Sequence, residues 1–579
     1  MKNKNIISRM AATAGWIGLL LTAGGLVSLP RASAEGTWTA LANVAPGGVE
    51  TMLLLSDGTV MAQNGGGTGW YKLTPDSTGH YVNGTWTTRA AMHYSRLYYS
   101  SDVLKDGRLF VAGAEYGNGT TNAEIYDPVG NSWSDVFIPG GIINMNNTIN
   151  TNFGNNTAGF IDSGSVILNN GKVLIEPNSP AVAGNTATYD PVANSWSTAR
   201  LFRGGNEDED ACIKLPDDSI LTIDSGSQTT ERYIPASNTW VNDTTVPVAL
   251  YDSYGTELGP PLLLPNGKAF YIGSKPNTAI YTPSGSTSPG TWVAGPSLGS
   301  LGAPDAPAAM MFNGKILCAL SPTPYTSGGT NYIFTTPTYF YEYDYSSGPV
   351  GSFTQIHAPG GGFTRNEVTF NDRMLDLPDG TVLFTDGGGQ LYSYQPDGSP
   401  LASGKPTVYG YSWNSDGTLH VTGTLFNGIS QGASYGDDAQ MDSNYPLVRF
   451  TDGGGNVYYG RSYNWSSTSV QTGGRVVTTE TTVPSTVFSG SGAYSLQVVA
   501  NGIASDPVTF YGPLWVDFNY GGVFQFGTYT FPDKTLAKGV TDVTSGGTIL
   551  IKSSNSHETM TISKPMTISS VYGPSTIGH

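Results

Sequence analysis

The sequence predicts an all-β chain whose larger part is a ring of seven β-sheet blades, followed by two smaller β modules. Three observations carry this reading. A turn-plus-strand signature recurs seven times, a tyrosine-turn-tryptophan signature accompanies it, and one tryptophan stands unmatched ahead of the first copy.

The first signature joins an aliphatic residue, a turn dipeptide and a buried strand, as in LeuSerAspGlyThrValMet at 55–61. Its other copies lie at 104–110, 168–174, 215–221, 264–270, 311–317 and 377–383. They recur about every 47 to 65 residues, the range of propeller blades. An Asn-Gly or Asp-Gly pair favours a tight hairpin because it accepts positive φ at low steric cost. The second signature is clearest in Tyr126…Trp133, Tyr189…Trp196, Tyr233…Trp240 and Tyr281…Trp292. Trp86 ends blade one in the same way, and Phe353 fills that place in blade six. Blade seven has Tyr392 and Tyr394 but no tryptophan after them, while Trp38 stands ahead of blade one. The N-terminal strand is therefore expected to complete blade seven, which leaves the ring no long open edge. Residues 35–404 read as a seven-bladed propeller.

Composition agrees. A chain of 579 residues exceeds one ordinary domain. Its 76 glycines and 11% aromatics, against 12% charged residues, mark an all-β protein with many turns. Lys2, Lys4 and Arg9 precede an apolar stretch around Trp16–Val27 and then Ala32-Ser33-Ala34, a secretory signal over 1–34 with cleavage after Ala34. That segment holds four basic residues and no acidic ones, so its removal takes the formal charge from −17 to −21. Such a surface repels nucleic acid and anionic membranes. Cys212 and Cys318 fall on blades four and six, which are not neighbours, and are expected as buried thiols.

The blade signatures stop near Lys405. Residues 405–512 carry short alternating strands such as 419–425, 445–450 and 494–502, the pattern of an immunoglobulin-like β-sandwich. From 513 to 579 the pattern changes to a short helix followed by strands at near-regular spacing. This resembles the opening rungs of right-handed parallel β-helix proteins, and so short a stack leaves an exposed end.

Kelch-like blades followed directly by a β-sandwich resemble the galactose oxidase and glyoxal oxidase group of secreted copper-radical enzymes. The resemblance covers roughly residues 36–512 in layout. It implies a copper on the propeller axis, held by two tyrosines and two histidines, with one tyrosine thioether-linked to a cysteine and one histidine reaching in from the sandwich. Residue by residue, Tyr98 takes the place of the cross-linked tyrosine, and Val49 falls where its cysteine partner is expected. The blade-seven Tyr-His pair falls on Phe370-Asn371, and the sandwich histidine falls near Arg461 or Ser462. Copper needs nitrogen donors such as imidazole. Phenylalanine cannot ligate and arginine is a permanent cation. His80, His93, His357, His420, His557 and His579 scatter singly and match none of the places. The substitutions argue against copper-radical chemistry.

Eight positions before each turn, where the first strand of a blade begins, stand Val49, Tyr98, Asp162, Glu209, Leu258, Asp305 and Asn371. Beside this register lie Glu50, Asp208, Asp210, Glu257, Glu367 and Asp372, with Arg96, Arg365 and Arg373 near enough to pair some of them. Three uses stay open: structural bonds that tie blades together, an oxygen-lined site for a hard cation such as Ca²⁺, or a polar ligand cleft. In the last, Tyr98, Tyr99, Arg96, Glu50, Asp162, Glu209, Glu257, Asp305 and Asn371 face a sugar-like ligand. A glycosidase version needs two carboxylates across the cleft, with Glu209 and Glu257 the foremost candidates.

The expectation is a secreted, non-catalytic recognition protein that binds an extracellular glycan or surface protein through the propeller face. The alternative is a carbohydrate-active enzyme, either a diverged oxidase or a hydrolase using the axial carboxylates.

Overall fold

The computed structural model describes residues 35–578, apart from 141, 143–146, 151–154, 159, 161–162, 176–184, 201–211, 225, 254–256, 329–330, 436–438 and 490–491. The signal-like segment 1–34, Asp162 and Asp208–Asp210 therefore lie outside the described residues.

The fold is all-β. Seven four-stranded antiparallel units follow the seven signatures, at 49–89, 100–136, 165–200, 213–242, 258–294 and 307–356, with the last at 373–395 completed by Thr37–Ala40. The N-terminal strand pairs with Tyr392–Gln395, placing Trp38 opposite Tyr394. The innermost strand of blade seven lies beside that of blade one, so the ring closes. Trp38 packs on Phe340, Phe384 and Tyr394, with ring centroids 5.6, 5.6 and 4.7 Å away.

The seven turns share one bonding scheme. The aliphatic N–H is bonded to the carbonyl four residues on, from Leu55 to Thr59 and likewise in every copy. The turn Asp or Asn carboxamide or carboxylate then accepts from the N–H two residues later, as Asp57 does from Thr59 at 3.0 Å and Asn313 from Lys315 at 3.0 Å. Positive φ falls on the second turn residue only, +75° at Gly58 and +87° at Gly380. These are therefore longer, single-positive-φ turns and not the two-residue hairpins that Asn-Gly suggests. Blade four breaks the pattern, with Asp218 taking φ +68° in the glycine's place.

The tyrosine-tryptophan pairs stand directly across from one another on the outer strands. Their ring centroids lie 4.9 to 5.5 Å apart, contacts worth about 0.5–1.5 kcal/mol beyond area burial. In three of these pairs the tyrosine hydroxyl donates to an asparagine in the intervening turn, Asn131, Asn194 or Asn238, whereas Tyr281 donates to Asp243 at 2.7 Å. Each of these asparagines adopts positive φ, which its short polar side chain tolerates. The tryptophan indole then bonds the chain leaving the preceding blade: Trp133 to Ala90 O, Trp196 to Phe137 O and Trp38 to His357 O. One signature thus closes its own hairpin and ties its blade to the one before.

After the ring, two sheets face each other across a core that includes Leu419, Val421, Val448, Phe450, Leu496, Val498 and Phe510. Three parallel strands follow, Leu514–Val516, Thr548–Lys552 and Thr567–Val571, stacked in register beside the helix Leu536–Asp542. Trp515 fixes them to the sandwich, its indole donating to Phe488 O at 3.1 Å. Cys212 and Cys318 are buried and reduced.

One element was not legible in the sequence. The hairpin Gly432–Tyr435 and Ala439–Asp442 leaves the sandwich and adds to blade six, with Pro307 opposite Tyr435 and Ala309 opposite Ala433. It also lies against the innermost strands of blades one, two and seven, which places it along the propeller axis.

Candidate ligand-binding site on the propeller axis

Tyr98 is set by its own local scaffold. The two-residue ladder of Arg96–Leu97 with Tyr116–Gly117 precedes it, and its carbonyl accepts from Glu115 N. Its φ is +52°, a conformation that costs a bulky residue about 1 kcal/mol or more. The loop that imposes it is clamped by Arg96. That guanidinium is fully buried and donates to the carbonyls of Gly113, Gly119 and Asn122 at 2.5 to 2.9 Å and to Glu124 Oε2 at 2.9 Å. Arg96 therefore builds the loop and does not face a ligand, which corrects its place among the ligand-facing residues. Tyr99 is also buried, donating to Gln63 Oε1 at 2.8 Å.

The Tyr98 ring remains partly open. It lies parallel to Tyr435 of the axial hairpin at 6.2 Å, and edge-on to the exposed Tyr116 at 6.1 Å. Arg373 packs its guanidinium 3.4 Å over the Tyr435 ring and 5.7 Å from that of Tyr98. It also donates to Phe370 O and Asp372 O and sits 3.7 Å from Glu50. The Tyr435 hydroxyl in turn donates to Phe370 O at 3.2 Å. A second module's tyrosine thus completes the face opened by blade two. The sandwich residue expected here was Arg461 or Ser462, and the structure corrects this. Ser462 N bonds Ser56 O and Arg461 Nη1 bonds Asp106 O, at the turn ends of blades one and two. Those turns are the far ends of the strands Val49–Leu54 and Ser100–Val103, the second of which follows Tyr98.

Carboxyls gather in two groups around Arg373. Glu257 and Asp305 are hydrogen-bonded to each other, beside Asp252, which accepts from Tyr332 at 3.0 Å. Burial pushes Asp305 up to about 6, opposed by Glu257 and Arg373. On blade seven, Arg365 bonds both Glu367 and Asp386, and burial raises Glu367 and the enclosed Asp372. Glu50 is also raised by burial, against the pull of Arg373. Glu50 and Asn371 both border Gly387. The expected polar register is interrupted by Val49 and Leu258, which are buried in apolar cores. Glu209 and Asp162 lie outside the described residues.

This donor set does not suit copper. Beside Tyr98 stand a phenol, a permanent guanidinium cation and carboxyls. A second cation at this place meets the repulsion of Arg373 and lacks imidazole. Phe370 is instead packed edge-on against Phe334 at 4.8 Å. The arrangement offers aromatic faces, hydrogen-bonding carboxyls and one fixed positive charge.

Beneath the hairpin lies a second polar layer. Lys214 donates to Thr468 O at 2.8 Å and faces Asp442, Asp218 and Asp102. Burial raises Asp102 to about 7 and Asp442 and Asp376 to about 8.

No family model matches the chain, and no curated protein matches it. Among solved structures, a fungal alcohol oxidase of the AA5 family in complex with copper aligns over 83% of this chain and 99% of its own, at 16% identity and TM-score 0.48. The extracellular domain of a putative hybrid two-component system from B. thetaiotaomicron aligns over 85% of this chain and 55% of its own, at 12% identity and TM-score 0.41. Virginiamycin B lyase from Staphylococcus aureus covers 62% of this chain and 99% of its own, at 11% identity and TM-score 0.38.

Proposed function

We propose that this is a secreted recognition protein whose axial propeller face binds a neutral polyhydroxylated ligand, an extracellular glycan. The observation that carries the reading is the partly open Tyr98 ring, held at positive φ by the Arg96 clamp and bordered by Tyr116, Tyr435 and carboxyls raised by burial. Sugar rings present apolar faces that lie on aromatic rings, and hydroxyls that pair with carboxyl groups in either role. Among the described residues no helix is long and apolar enough to cross a membrane. A glycan array probed with the 35–579 chain tests the proposal. Saturable binding is expected, and Tyr98→Gly, which relieves the backbone while deleting the ring, abolishes it and leaves thermal stability within about 1 kcal/mol. Binding that is equal in both proteins refutes the site.

A hydrolytic reading is favoured by one observation, Asp305 raised to about 6 by burial and hydrogen-bonded to Glu257, since a protonatable carboxyl beside a second carboxyl suits acid-base work. Release of sugar from bound glycans, lost in Glu257→Gln, distinguishes it from recognition alone.

A further inference from the structure

Away from the axis, blade two carries a second constellation. Glu124 and Asp135 stand directly opposite one another on its two outer strands. Like charges in that register repel. His93, in the segment joining blades one and two, comes between them: its Nδ1 lies 2.7 Å from Asp135 Oδ1 and 3.4 Å from Glu124 Oε1. The three ligand atoms all fall within 4.8 Å of one another.

We propose that His93, Glu124 and Asp135 form a binding site for a divalent first-row transition ion of the Zn²⁺ class. One imidazole and two carboxylates are a familiar donor set for such ions, whereas a hard cation such as Ca²⁺ would call for oxygen alone. The 3.4 Å separation from Glu124 suits the edge of a tetrahedron with ligand bonds of about 2.0–2.2 Å, and the ion would replace and lengthen the 2.7 Å hydrogen bond to Asp135. Glu124 is fully buried, and its other oxygen is held by Arg96 at 2.9 Å, the kind of outer partner that fixes a ligating carboxylate. His93 and Asp135 are about half exposed, at 49% and 59%, which leaves coordination positions open to water or to a group from outside. The ion would clip the exit of blade one to the rim of blade two, on the same Arg96–Glu124 clamp that sets the Tyr98 loop. The Asp135 contact holds the His93 imidazole in place beside Glu124. The charged and titratable groups facing that ring are Asp135 and Glu124, with Arg96 behind Glu124 and Tyr94 beside the ring.

The test is calorimetric titration of the chelator-stripped 35–579 chain with ZnCl₂, alongside the double variant His93→Gln/Asp135→Asn, which leaves the Arg96–Glu124 pair intact. One saturable equivalent is expected in the wild-type chain. Affinity should weaken at least tenfold in the variant. The spectrum of bound Co²⁺ reads the coordination independently, and Zn²⁺ should raise the melting temperature of the wild type only. Failure of the wild type to bind Zn²⁺ or Co²⁺ saturably overturns the site, as does full affinity in a variant that melts like the wild type.

Discussion

Asp376 offers the sharpest test of how the hairpin seats on the axis. It ends the innermost strand of blade seven and is 3% exposed. One oxygen accepts from Ser443 at the base of the hairpin, at 3.3 Å, and the other has no hydrogen-bond partner. Burial raises its pKa from 3.8 to about 8. Between those values the folded chain keeps a proton that the unfolded chain has released, so raising the pH favours unfolding. The stabilising proton is fully effective below about pH 4, and its contribution is lost progressively up to about pH 8. At about 1.4 kcal/mol for each tenfold change in proton affinity, the full window is worth about 6 kcal/mol as a ceiling. Asp376→Asn keeps the shape and removes the titration. Urea denaturation of both proteins at half-unit steps from pH 4 to 8 isolates this one group, because Asp102 and Asp442 titrate in both. The variant should gain on the wild type by several kcal/mol toward pH 8. Parallel stability curves would refute the reasoning.

Two further outcomes concern the ring. Trp38→Ala removes the ring that meets Phe340, Phe384 and Tyr394 and the indole bond to His357 O. It should lower stability by about 3 kcal/mol, read by calorimetry, with Trp38→Phe recovering part of the loss. Asp218→Gly restores the residue that the other blades use at positive φ. It should stabilise by about 0.5 kcal/mol, the relief of backbone strain exceeding the lost hydrogen bond from Asn169. A fall in melting temperature would show that the Asn169 bond dominates.

The sequence disclosed the ring because its information is local and repeated. Each turn needs a carboxylate or carboxamide two residues before the bonded N–H, and the outer hairpins of blades two, three and four use the Tyr, Asn and Trp of one signature. Even the closing strand was legible, since Trp38 lacked a blade of its own. The axial hairpin was hidden for the opposite reason. Gly432, Ala433 and Ser434 are chosen for close approach, not for a hydrophobic period, and carry no strand signal strong enough to separate them from the sandwich. Their small size before Tyr435, and the GlyAspAsp run at 436–438, were the available hint. Arg96 misled in a related way. Its position beside Tyr98 suggested a ligand contact, but its three carbonyl acceptors come from a loop some twenty residues on, which spacing alone does not reveal. His93, read as one of six scattered histidines, meets its partners only because strand register brings Glu124 opposite Asp135.

The charge arrangement on the axis narrows what the proposed site can take. The chain is strongly acidic, with formal charge −17, yet the carboxyls gathered around Arg373 include ones whose burial resists ionisation: Glu50, Asp305, Glu367 and Asp372. An anionic ligand would approach against the field of the whole protein. A cationic one would meet Arg373, whose guanidinium already covers the Tyr435 face at 3.4 Å. A neutral ligand pays neither penalty, and carboxyls whose burial favours the protonated form can donate to its hydroxyls as well as accept from them. The arginine that stands against a copper ion beside Tyr98 is thus the same residue that steers the proposed site toward uncharged sugars.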